Sequence, residues 1–508
     1  MKSTTIAFCL IMFSFALPVA ADDAKCVALR AAIFRAGDAA VTIDSATLVP
    51  PEAGLPEHCD VRGFLAPEAH FAVKLPSTWN KRFYMVGGGG FAGRLSLPQM
   101  NPGLQQGYAT ATTDTGHDAQ KEPLGTFAEH RPDNPHADRK KLDYAHLAVH
   151  NTALLAKQLI RAYYGAAPQH SYWVGCSTGG RQGLMEAQRH PEDFDGYLIG
   201  APVLKQSYEG LRGIWNARAV SDGPGAVPYA QLPLVASAVY AKCDAADGAK
   251  DGLIADPPAC KFNPLEDLPK CAGDEPGKDC FTRAQREGLH KVYDGVRNSK
   301  GELLYPGQAP GAEIAVNGRS GWEGSIGGDG GAGVLYGETF MRFLAFDQQR
   351  GKTWSWKQFD FDRDPPQMAA FSKVNDATSP DLSVLRKRGG KIIHYHGWAD
   401  ALVNPKMSVN YYESVRRKMG ESSTAAFYRL YMIPGMFHCR GGVGCDEADW
   451  FSPLVEWVEK GIAPGVVAGA RMQQGIAVMS RPHCPYPQVA RYRGSGPLEK
   501  AESFSCTP

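Results

Sequence analysis

The chain has almost no net charge and, after its first twenty residues, no long hydrophobic run. Lysine and arginine number 54 and aspartate and glutamate 53 among 508 residues, so the formal charge is +1. A chain without a basic excess has no general electrostatic attraction for nucleic acid. No later segment is long and apolar enough to cross a bilayer. We therefore expect neither nucleic acid nor membrane as a partner of the mature protein.

No spacing of cysteine and histidine resembles a zinc site, although the sequence has twelve cysteines. So many cysteines are typical of an oxidising compartment. The apolar run Ile6–Leu17 and the small residues that end at Ala21 resemble a secretory signal peptide over residues 1–21. An uncleaved anchor is the alternative, but a spanning helix needs about 20 apolar residues and this run is shorter. We expect cleavage after Ala21 and a secreted or periplasmic protein.

Cleavage removes Cys9 and leaves eleven cysteines, so at least one has no partner within the chain. Short separations suggest four disulfides, and Cys176 with Cys439 would make a fifth and leave Cys445, whose state stays open. The sequence alone does not determine this connectivity. The four suggested pairs are Cys26–Cys59, Cys243–Cys260, Cys271–Cys280 and Cys484–Cys506.

The first 200 residues alternate short apolar strands with helical segments, as α/β proteins do. Between about Val203 and Ser379 the composition changes to glycine, proline, aspartate and aromatic residues, and the strand pattern then resumes. We predict one domain from residues 22–203 and 380–508, with residues 204–379 inserted over the strand ends as a lid. Predicted strands cover 82–86, 108–113, 171–174, 391–395 and 427–433, and predicted helices cover 145–164 and 181–189.

Ser177 lies at the centre of Gly175-Cys-Ser-Thr-Gly179, between a predicted strand and a predicted helix. G-x-S-x-G in this context forces the serine into a tight turn and exposes its Oγ above the sheet. The motif alone is common by chance, so the flanking elements carry much of the argument. If Cys176 is bonded to Cys439, Ser177 must lie beside His438, because bonded cysteines have Cα atoms within about 7 Å.

An activated serine needs a histidine base and a carboxylate that orients it. Asp400 and His438 each follow a predicted strand, in the chain order serine, acid, histidine. Each could alone be an ordinary turn or loop residue, but together with Ser177 they predict a catalytic triad. The oxyanion of the tetrahedral intermediate needs two N–H donors, which we predict to be Thr178 and one of Gly89 or Gly90.

Several aspartates crowd into the loop from Cys243 to Asp256. Loops rich in oxygen donors suit Ca²⁺, although this spacing does not match an EF-hand. A cluster of ordinary Asp-Gly turns is the alternative.

Four segments of the sequence resemble the tannase and feruloyl esterase family, which also contains a hydrolase of mono(2-hydroxyethyl) terephthalate. The resemblance extends over nearly the whole mature chain and implies an α/β-hydrolase fold with an inserted lid. The segments are Gly175–Gly183, Tyr395–Asp400, Pro434–Cys439 and Arg481–Tyr492.

The resemblance also implies roles for particular residues. It implies a triad with a flanking disulfide, oxyanion donors at two backbone positions, and a structural Ca²⁺ in the lid, but no organic cofactor. The residues are Ser177, Asp400 and His438 for the triad, Cys176 and Cys439 for the disulfide, Gly90 and Thr178 for the oxyanion, and, for calcium, the side chains of Asp244, Asp247 and Asp251 with the carbonyls of Ala249 and Leu253.

The function that this resemblance implies is hydrolysis of esters of aromatic acids, such as feruloyl esters, through an acyl-enzyme. Galloyl esters and terephthalate monoesters are the alternatives, and Arg342 is a candidate for reading the free carboxylate of a monoester. The lid rings could hold a phenolic acyl group or form the lid's own core. These rings are Trp322, Tyr336, Phe340, Trp354 and Trp356.

Three other interpretations use the same residues differently. An acyltransferase would pass the acyl group to an alcohol, a non-catalytic relative would only bind aromatic ligands, and Cys176 itself could be a nucleophile if it were reduced. We expect a monomer or a weak homo-oligomer with a small aromatic ester as its substrate.

Overall fold

The computed structural model describes residues 19–313, 321–326 and 331–508. The predicted signal peptide, with Cys9, lies almost entirely outside these residues, so export stays a prediction. Within the described residues, every helix is too short or too polar to cross a bilayer.

Seventeen strands occur in the described residues. They are β1 Arg35–Ala36, β2 Ala39–Val49, β3 His58–Leu65, β4 Ala69–Pro76, β5 Arg82–Val86, β6 Ala109–Thr113, β7 His170–Cys176, β8 Gly196–Gly200, β9 Gly295–Arg297, β10 Leu303–Pro306, β11 Lys391–Gly397, β12 Tyr428–Ile433, β13 Glu447–Ala448, β14 Val467–Gln473, β15 Ile476–His483, β16 Val489–Tyr492 and β17 Phe504–Thr507.

The same residues contain seventeen α-helices. They are α1 Val19–Ala28, α2 Leu97–Gln105, α3 Ala137–Leu142, α4 Ala148–Tyr164, α5 Thr178–Arg189, α6 Gln206–Val220, α7 Leu232–Cys243, α8 Pro264–Asp267, α9 Arg283–Asp294, α10 Trp322–Ser325, α11 Ala332–Phe343, α12 Asp364–Gln367, α13 Ala369–Asn375, α14 Ser383–Lys387, α15 Pro405–Met419, α16 Glu421–Ala425 and α17 Phe451–Lys460.

Ten strands form one sheet in the order β1-β2-β3-β4-β6-β5-β7-β8-β11-β12. The pairs from β1 through β4 to β6 are antiparallel, whereas those from β6 through β5, β7, β8 and β11 to β12 are parallel. Parallel strands bring their carboxyl ends to one edge of the sheet, where α/β proteins place their sites. The predicted α/β class is confirmed.

Helices cover both faces of this sheet. In β5, Phe83 and Met85 pack in the core that contains residues of α4, α5 and α15, whereas Tyr84 and Val86 pack on the other face in the core that includes residues of α2 and α17. Because successive strand residues point to opposite faces, a strand buried on both faces reads as a continuous apolar run. This is why the segment 82–86 was recognisable as a strand.

The chain between β8 and β11, for which we keep the name lid, contains α6 to α14 and the β9-β10 hairpin. Two glycine contacts bring α6 and α11 unusually close together: a Cβ on Gly213 would lie 2.1 Å from the Gly333 carbonyl oxygen, and one on Gly337 would lie 2.4 Å from that of Gly210. Only glycine permits such an approach. This packing positions α11 above the carboxyl ends of the parallel strands.

The five disulfides considered from the sequence are all present: Cys26–Cys59, Cys176–Cys439, Cys243–Cys260, Cys271–Cys280 and Cys484–Cys506. Cys445 is a free, buried cysteine. Burial raises the pKa of its thiol to about 11, so Cys445 is a packed thiol rather than a nucleophile.

Candidate active site

Ser177 lies in the turn between β7 and α5. Its backbone has φ 62° and ψ −125°, a conformation that costs a non-glycine residue about 1–3 kcal/mol. Its N–H donates to the Gly200 carbonyl at 3.0 Å, and its own carbonyl accepts from the Arg181 N–H at 3.0 Å. The strained turn is therefore held by hydrogen bonds on both sides.

The glycines of the motif permit this turn. A Cβ on Gly175 would lie 2.4 Å from the Gly179 carbonyl oxygen, and one on Gly179 would lie 3.0 Å from the Gly88 carbonyl oxygen. Real Cβ atoms do not come as close as 2.4 Å, so a larger residue at 175 would displace the helix from the strand. The motif thus places Ser177 at the carboxyl end of β7, as expected for an exposed nucleophile.

Asp400 and His438 lie against one another just after β11 and β12. His438 Nδ1 is 2.7 Å from Asp400 Oδ2, and the carboxylate is fully buried whereas 20% of the His438 side chain is exposed. Asp400 Oδ1 accepts the N–H groups of Leu402 at 2.9 Å and Val403 at 2.8 Å. Because the ionised Asp400 carboxylate can only accept a hydrogen bond, Nδ1 of His438 is the donor, and Nε2 is the basic nitrogen whenever the ring is neutral.

The Asp400 carboxyl is ionised in spite of its burial. Burial alone would raise its pKa, but the charge interaction with His438 and the hydrogen bonds from His396 and His438 lower it below the ordinary value. A group that stays ionised at neutral pH can stabilise a histidine that takes up a proton.

The Cys176–Cys439 disulfide joins the residue before Ser177 to the residue after His438. The two Cα atoms are 6.1 Å apart, and Ser177 and His438 line the same cavity. Because Cys176 is bonded, it has no thiol with which to act as a nucleophile.

Gly90 and Thr178 lie side by side at this cavity. Thr178 is the first residue of α5, so its N–H has no acceptor within the helix, and its hydroxyl donates to the Gly90 carbonyl at 2.5 Å. Gly90 has φ +57°, and a Cβ there would lie 3.1 Å from the Tyr336 hydroxyl. Gly89 also lines the cavity, but a Cβ at Gly89 would have nothing within 4 Å.

The cavity has a volume of about 670 Å³ and many of its walls are aromatic. Tyr336 and Phe340 of α11 reach it from the lid, and Tyr84, Phe91 and Tyr395 reach it from the sheet domain. Of the five lid rings considered from the sequence, Tyr336 and Phe340 thus line the cavity, and the other three form part of the buried core. Trp322, Trp354 and Trp356 belong to the buried clusters of the lid.

Besides His438, three side chains that carry a formal charge line the cavity. Glu209 and Arg212 form an ion pair, and Arg440 is exposed, with no hydrogen bond or ion pair among the described residues. Arg342 is not a lining residue: its Nε donates to the Trp354 carbonyl at 2.8 Å and its guanidinium pairs with Glu338 at 3.1 Å. The candidate for carboxylate recognition thus lies outside the cavity.

The aspartate loop folds back on itself through its carboxylates. Asp244 Oδ1 accepts the N–H groups of Asp251 at 3.2 Å and Gly252 at 3.0 Å, and Asp247 Oδ1 accepts that of Ala249 at 3.0 Å. Asp251 Oδ1 accepts the Leu253 N–H at 3.0 Å, and Arg481 binds its other oxygen. Arg481 begins the segment Arg481–Tyr492, so this contact joins that segment to the aspartate loop.

This loop has the donor chemistry that calcium requires. Burial, together with the charge of Asp251, raises the pKa of Asp244 and raises that of Asp247 to about 6. In the described residues, only His150, Glu186 and Asp193 bring three such ligand atoms within 4.8 Å of one another. The three loop carboxylates are therefore spaced more widely than this, and the case for calcium in the loop rests on the chemistry of its oxygen donors.

His396 is a site residue that the sequence did not identify. Its Nε2 lies 3.2 Å from Asp400 Oδ2, and its side chain is fully buried. His394 and His396 are two residues apart in β11, and residues so spaced share one face of a strand. Two histidines spaced to share one face of a strand were therefore the sequence signal that could have identified His396.

Comparisons with known proteins agree over most of the chain. The family model "Tannase and feruloyl esterase" matches residues 55–507. Mono(2-hydroxyethyl) terephthalate hydrolase of Piscinibacter sakaiensis is 33% identical over 532 aligned positions, which cover 91% of this chain and 87% of that protein. A probable feruloyl esterase B-1 of Aspergillus fumigatus is 32% identical, with 85% and 81% covered.

Solved structures show the same fold. Feruloyl esterase B from Aspergillus oryzae superimposes with a TM-score of 0.81 at 28% identity, over 96% of this chain and 100% of that one. A tannin acyl hydrolase from Aspergillus niger superimposes with a TM-score of 0.75 at 23% identity, over 96% and 94% of the two chains. The predicted α/β-hydrolase fold is confirmed.

Removing the Cys176–Cys439 disulfide should impair catalysis even where the protein stays folded. We expect Cys176→Ala/Cys439→Ala to lower kcat about 10- to 100-fold, because a displacement of about 1 Å can cost that much in rate. The measurement is kcat per folded molecule, well below the melting temperature. Cys271→Ala/Cys280→Ala is the control and should keep its kcat. An unchanged kcat in the first variant would contradict the clamping role.

Proposed function

The chain belongs to the tannase and feruloyl esterase family and is a carboxylic ester hydrolase, and on that premise we propose that it is an exported serine esterase acting on esters of phenolic acids such as feruloyl esters. One observation carries the proposal. Ser177, in a strained turn at the carboxyl end of β7, shares a cavity with His438, and the Nδ1 of His438 is hydrogen bonded to the buried, ionised Asp400.

The reaction begins with proton transfer from Ser177 Oγ to His438 Nε2 as Oγ attacks the ester carbonyl carbon. The N–H groups of Gly90 and Thr178 donate to the oxyanion that forms. The tetrahedral intermediate then collapses, the C–O bond to the alcohol breaks, and His438 gives its proton to the departing oxygen. The product of this half-reaction is an acyl-enzyme on Ser177.

Water completes the cycle by the same route. His438 takes a proton from water as the oxygen attacks the acyl carbon, and collapse returns that proton to Ser177 and releases the acid. Asp400 stays ionised throughout and stabilises the transient imidazolium. An acyltransferase would differ only in the acceptor, and family membership favours water.

The aromatic walls support a phenolic acyl group as the part of the substrate that is recognised. Tyr336, Phe340 and Phe91 line the same cavity as Ser177, and aromatic pairs add about 0.5–1.5 kcal/mol beyond the burial of their area. The relative and the solved structure that are described as feruloyl esterases support the same acyl class.

A structural Ca²⁺ is the second part of the proposal. The side chains of Asp244, Asp247 and Asp251 and the carbonyls of Ala249 and Leu253 would hold the ion. When bound, it supplies the positive charge that offsets the crowded carboxylates and ties the lid loop together. The ion takes no part in ester cleavage.

The serine nucleophile is tested by assaying wild type and Ser177→Ala on methyl ferulate, methyl gallate and mono(2-hydroxyethyl) terephthalate. We expect wild type to release acid fastest from the ferulate and the variant to lose more than about 1,000-fold in kcat, because no other group replaces the nucleophile. Chromatography of the released acid is the measurement. Equal release by both proteins would overturn the serine mechanism.

Terephthalate monoesters remain a second candidate because of Arg440. This arginine lines the cavity and could pair with a free carboxylate. We expect Arg440→Gln to raise KM for the monoester about two- to fivefold, the effect of an exposed ion pair, and to leave KM for the matching diester unchanged. Arg342→Gln is the control because Arg342 lies outside the cavity. Equal KM values for the monoester in wild type and Arg440→Gln would remove this candidate.

Chelation should lower thermal stability before it affects chemistry. We expect EDTA to lower Tm by several degrees, because an ion that binds only the folded state stabilises that state. Added Ca²⁺ should restore Tm, and Asp247→Asn should make Tm insensitive to EDTA. The assay is a melting curve alongside metal analysis of the purified protein. Absence of calcium in that analysis would end the proposal.

A further inference from the structure

A chain of buried polar side chains runs from Asp400 into the protein, away from the substrate cavity. His396 Nε2 lies 3.2 Å from Asp400 Oδ2, and His396 Nδ1 lies 2.7 Å from Ser408 Oγ. Ser408 Oγ lies 2.9 Å from His394 Nε2, and His394 Nδ1 lies 2.7 Å from the Tyr428 hydroxyl. All four side chains behind Asp400 belong to buried residues.

The partners of this chain determine where its protons lie. His396 Nε2 is 3.2 Å from Asp400 Oδ2 and 3.2 Å from the Val403 carbonyl oxygen. Both atoms can only accept a hydrogen bond, so Nε2 must carry a hydrogen. When the His396 ring is neutral, its Nδ1 is then an acceptor, and the Ser408 hydroxyl must donate to it.

The same reasoning continues to the end of the chain. Ser408 has only one hydrogen to give, so it accepts from His394 Nε2–H. Burial, with a smaller contribution from the neighbouring His396, holds the pKa of His394 well below its ordinary value, so this ring is neutral and its Nδ1 accepts. The Tyr428 hydroxyl donates to that Nδ1. When the His396 ring is neutral, every hydrogen bond therefore points from Tyr428 toward Asp400.

The direction of the chain matters at its far end. If the Tyr428 donor were absent, the Ser408 hydroxyl could turn toward His394 and leave the hydrogen of His396 on Nδ1. A bare His396 Nε2 would then face Asp400 Oδ2, which is also an acceptor, and the two lone pairs would repel one another. Asp400 would lose one of its four donors and could rotate away from His438.

We propose that His396 is a positioning residue of the ester-hydrolysis site. Its Nε2–H holds the Asp400 carboxylate against His438. Ser408, His394 and Tyr428 fix the tautomer of His396 that carries this hydrogen. The inference rests on the proposed role of Asp400 as the acid of the triad. His396 touches neither the substrate cavity nor the reacting atoms. Its effect on the reaction passes through the orientation of Asp400.

Two substitutions at His396 separate positioning from packing. Glutamine can place an N–H₂ donor where Nε2 lies, whereas asparagine reaches only the position of Nδ1. We expect His396→Asn to lower kcat about 10- to 100-fold, because a displacement of about 1 Å in a catalytic site can cost that much in rate, with KM for methyl ferulate unchanged. His396→Gln should stay within about fivefold of the wild-type kcat. Equal losses in both variants, or no loss in either, would overturn the proposal.

Tyr428→Phe tests the remote end of the chain with little change in packing. We expect kcat to fall about three- to tenfold at constant KM, although the hydroxyl is three hydrogen bonds away from His396. Tyr412→Phe is the matched control: its buried hydroxyl donates to the Tyr428 carbonyl at 3.4 Å and lies outside the chain. An equal kcat in wild type and Tyr428→Phe, or an equal loss in both tyrosine variants, would contradict the proposal.

Asp400→Asn distinguishes this inference from the proposed function. If that variant keeps the wild-type kcat, the triad assignment fails and the His396 proposal fails with it. If Asp400→Asn and Ser177→Ala are both inactive while the two His396 variants match each other, the triad stands and only the positioning role is wrong. All kcat values are measured at a temperature at which circular dichroism shows each variant folded.

Discussion

A fully buried, ionised carboxylate at Asp400 is the constraint on which the site depends. An unpaired charge in a protein interior costs several kcal/mol, so each of its lone pairs must meet a donor. Two donors come from the turn that Asp400 begins, at Leu402 and Val403, and two come from the rings of His396 and His438. The turn after β11, the loop after β12 and the strand β11 itself are therefore held in one arrangement by one charge.

The lid contributes shape rather than charge to the cavity. Glycine contacts let α11 lie against α6, and Tyr336 and Phe340 of α11 line the same cavity as Ser177. The charged residues Glu209 and Arg212 neutralise each other in an ion pair, and the guanidinium of Arg212 also donates to the Leu402 carbonyl at 2.8 Å. This contact joins the lid to the turn that supplies the N–H donors of Asp400. The position of the lid and the position of the acid are thus mechanically connected.

Local patterns in the sequence predicted the parallel half of the sheet better than the antiparallel half. Segment 82–86 coincides with β5, because a strand buried on both faces is a continuous apolar run. The predicted helix 145–164 begins later, at Ala148, because a π-helical turn occupies Asp143–Leu147. The strands β2 to β4 were not predicted, since their pairing with one another, not their local pattern, makes them a sheet. The hydrogen-bond chain was also missed because it depends on tertiary structure. Ser408 and Tyr428 belong to other elements than His396, and no local sequence pattern shows that they come together.

Two different restraints act on His438, and they restrain different degrees of freedom. The disulfide at Cys439 limits the distance between two Cα atoms, which brings the backbone of His438 close to that of Ser177 but does not itself set the orientation of the imidazole. The Asp400 carboxylate binds Nδ1, which orients the ring so that Nε2, the base of the proposed mechanism, points away from Asp400. A base that was close but disordered, or ordered but distant, would transfer the proton from Ser177 poorly. The covalent bond and the buried charge are therefore complementary, and the chain behind Asp400 supports the second of them.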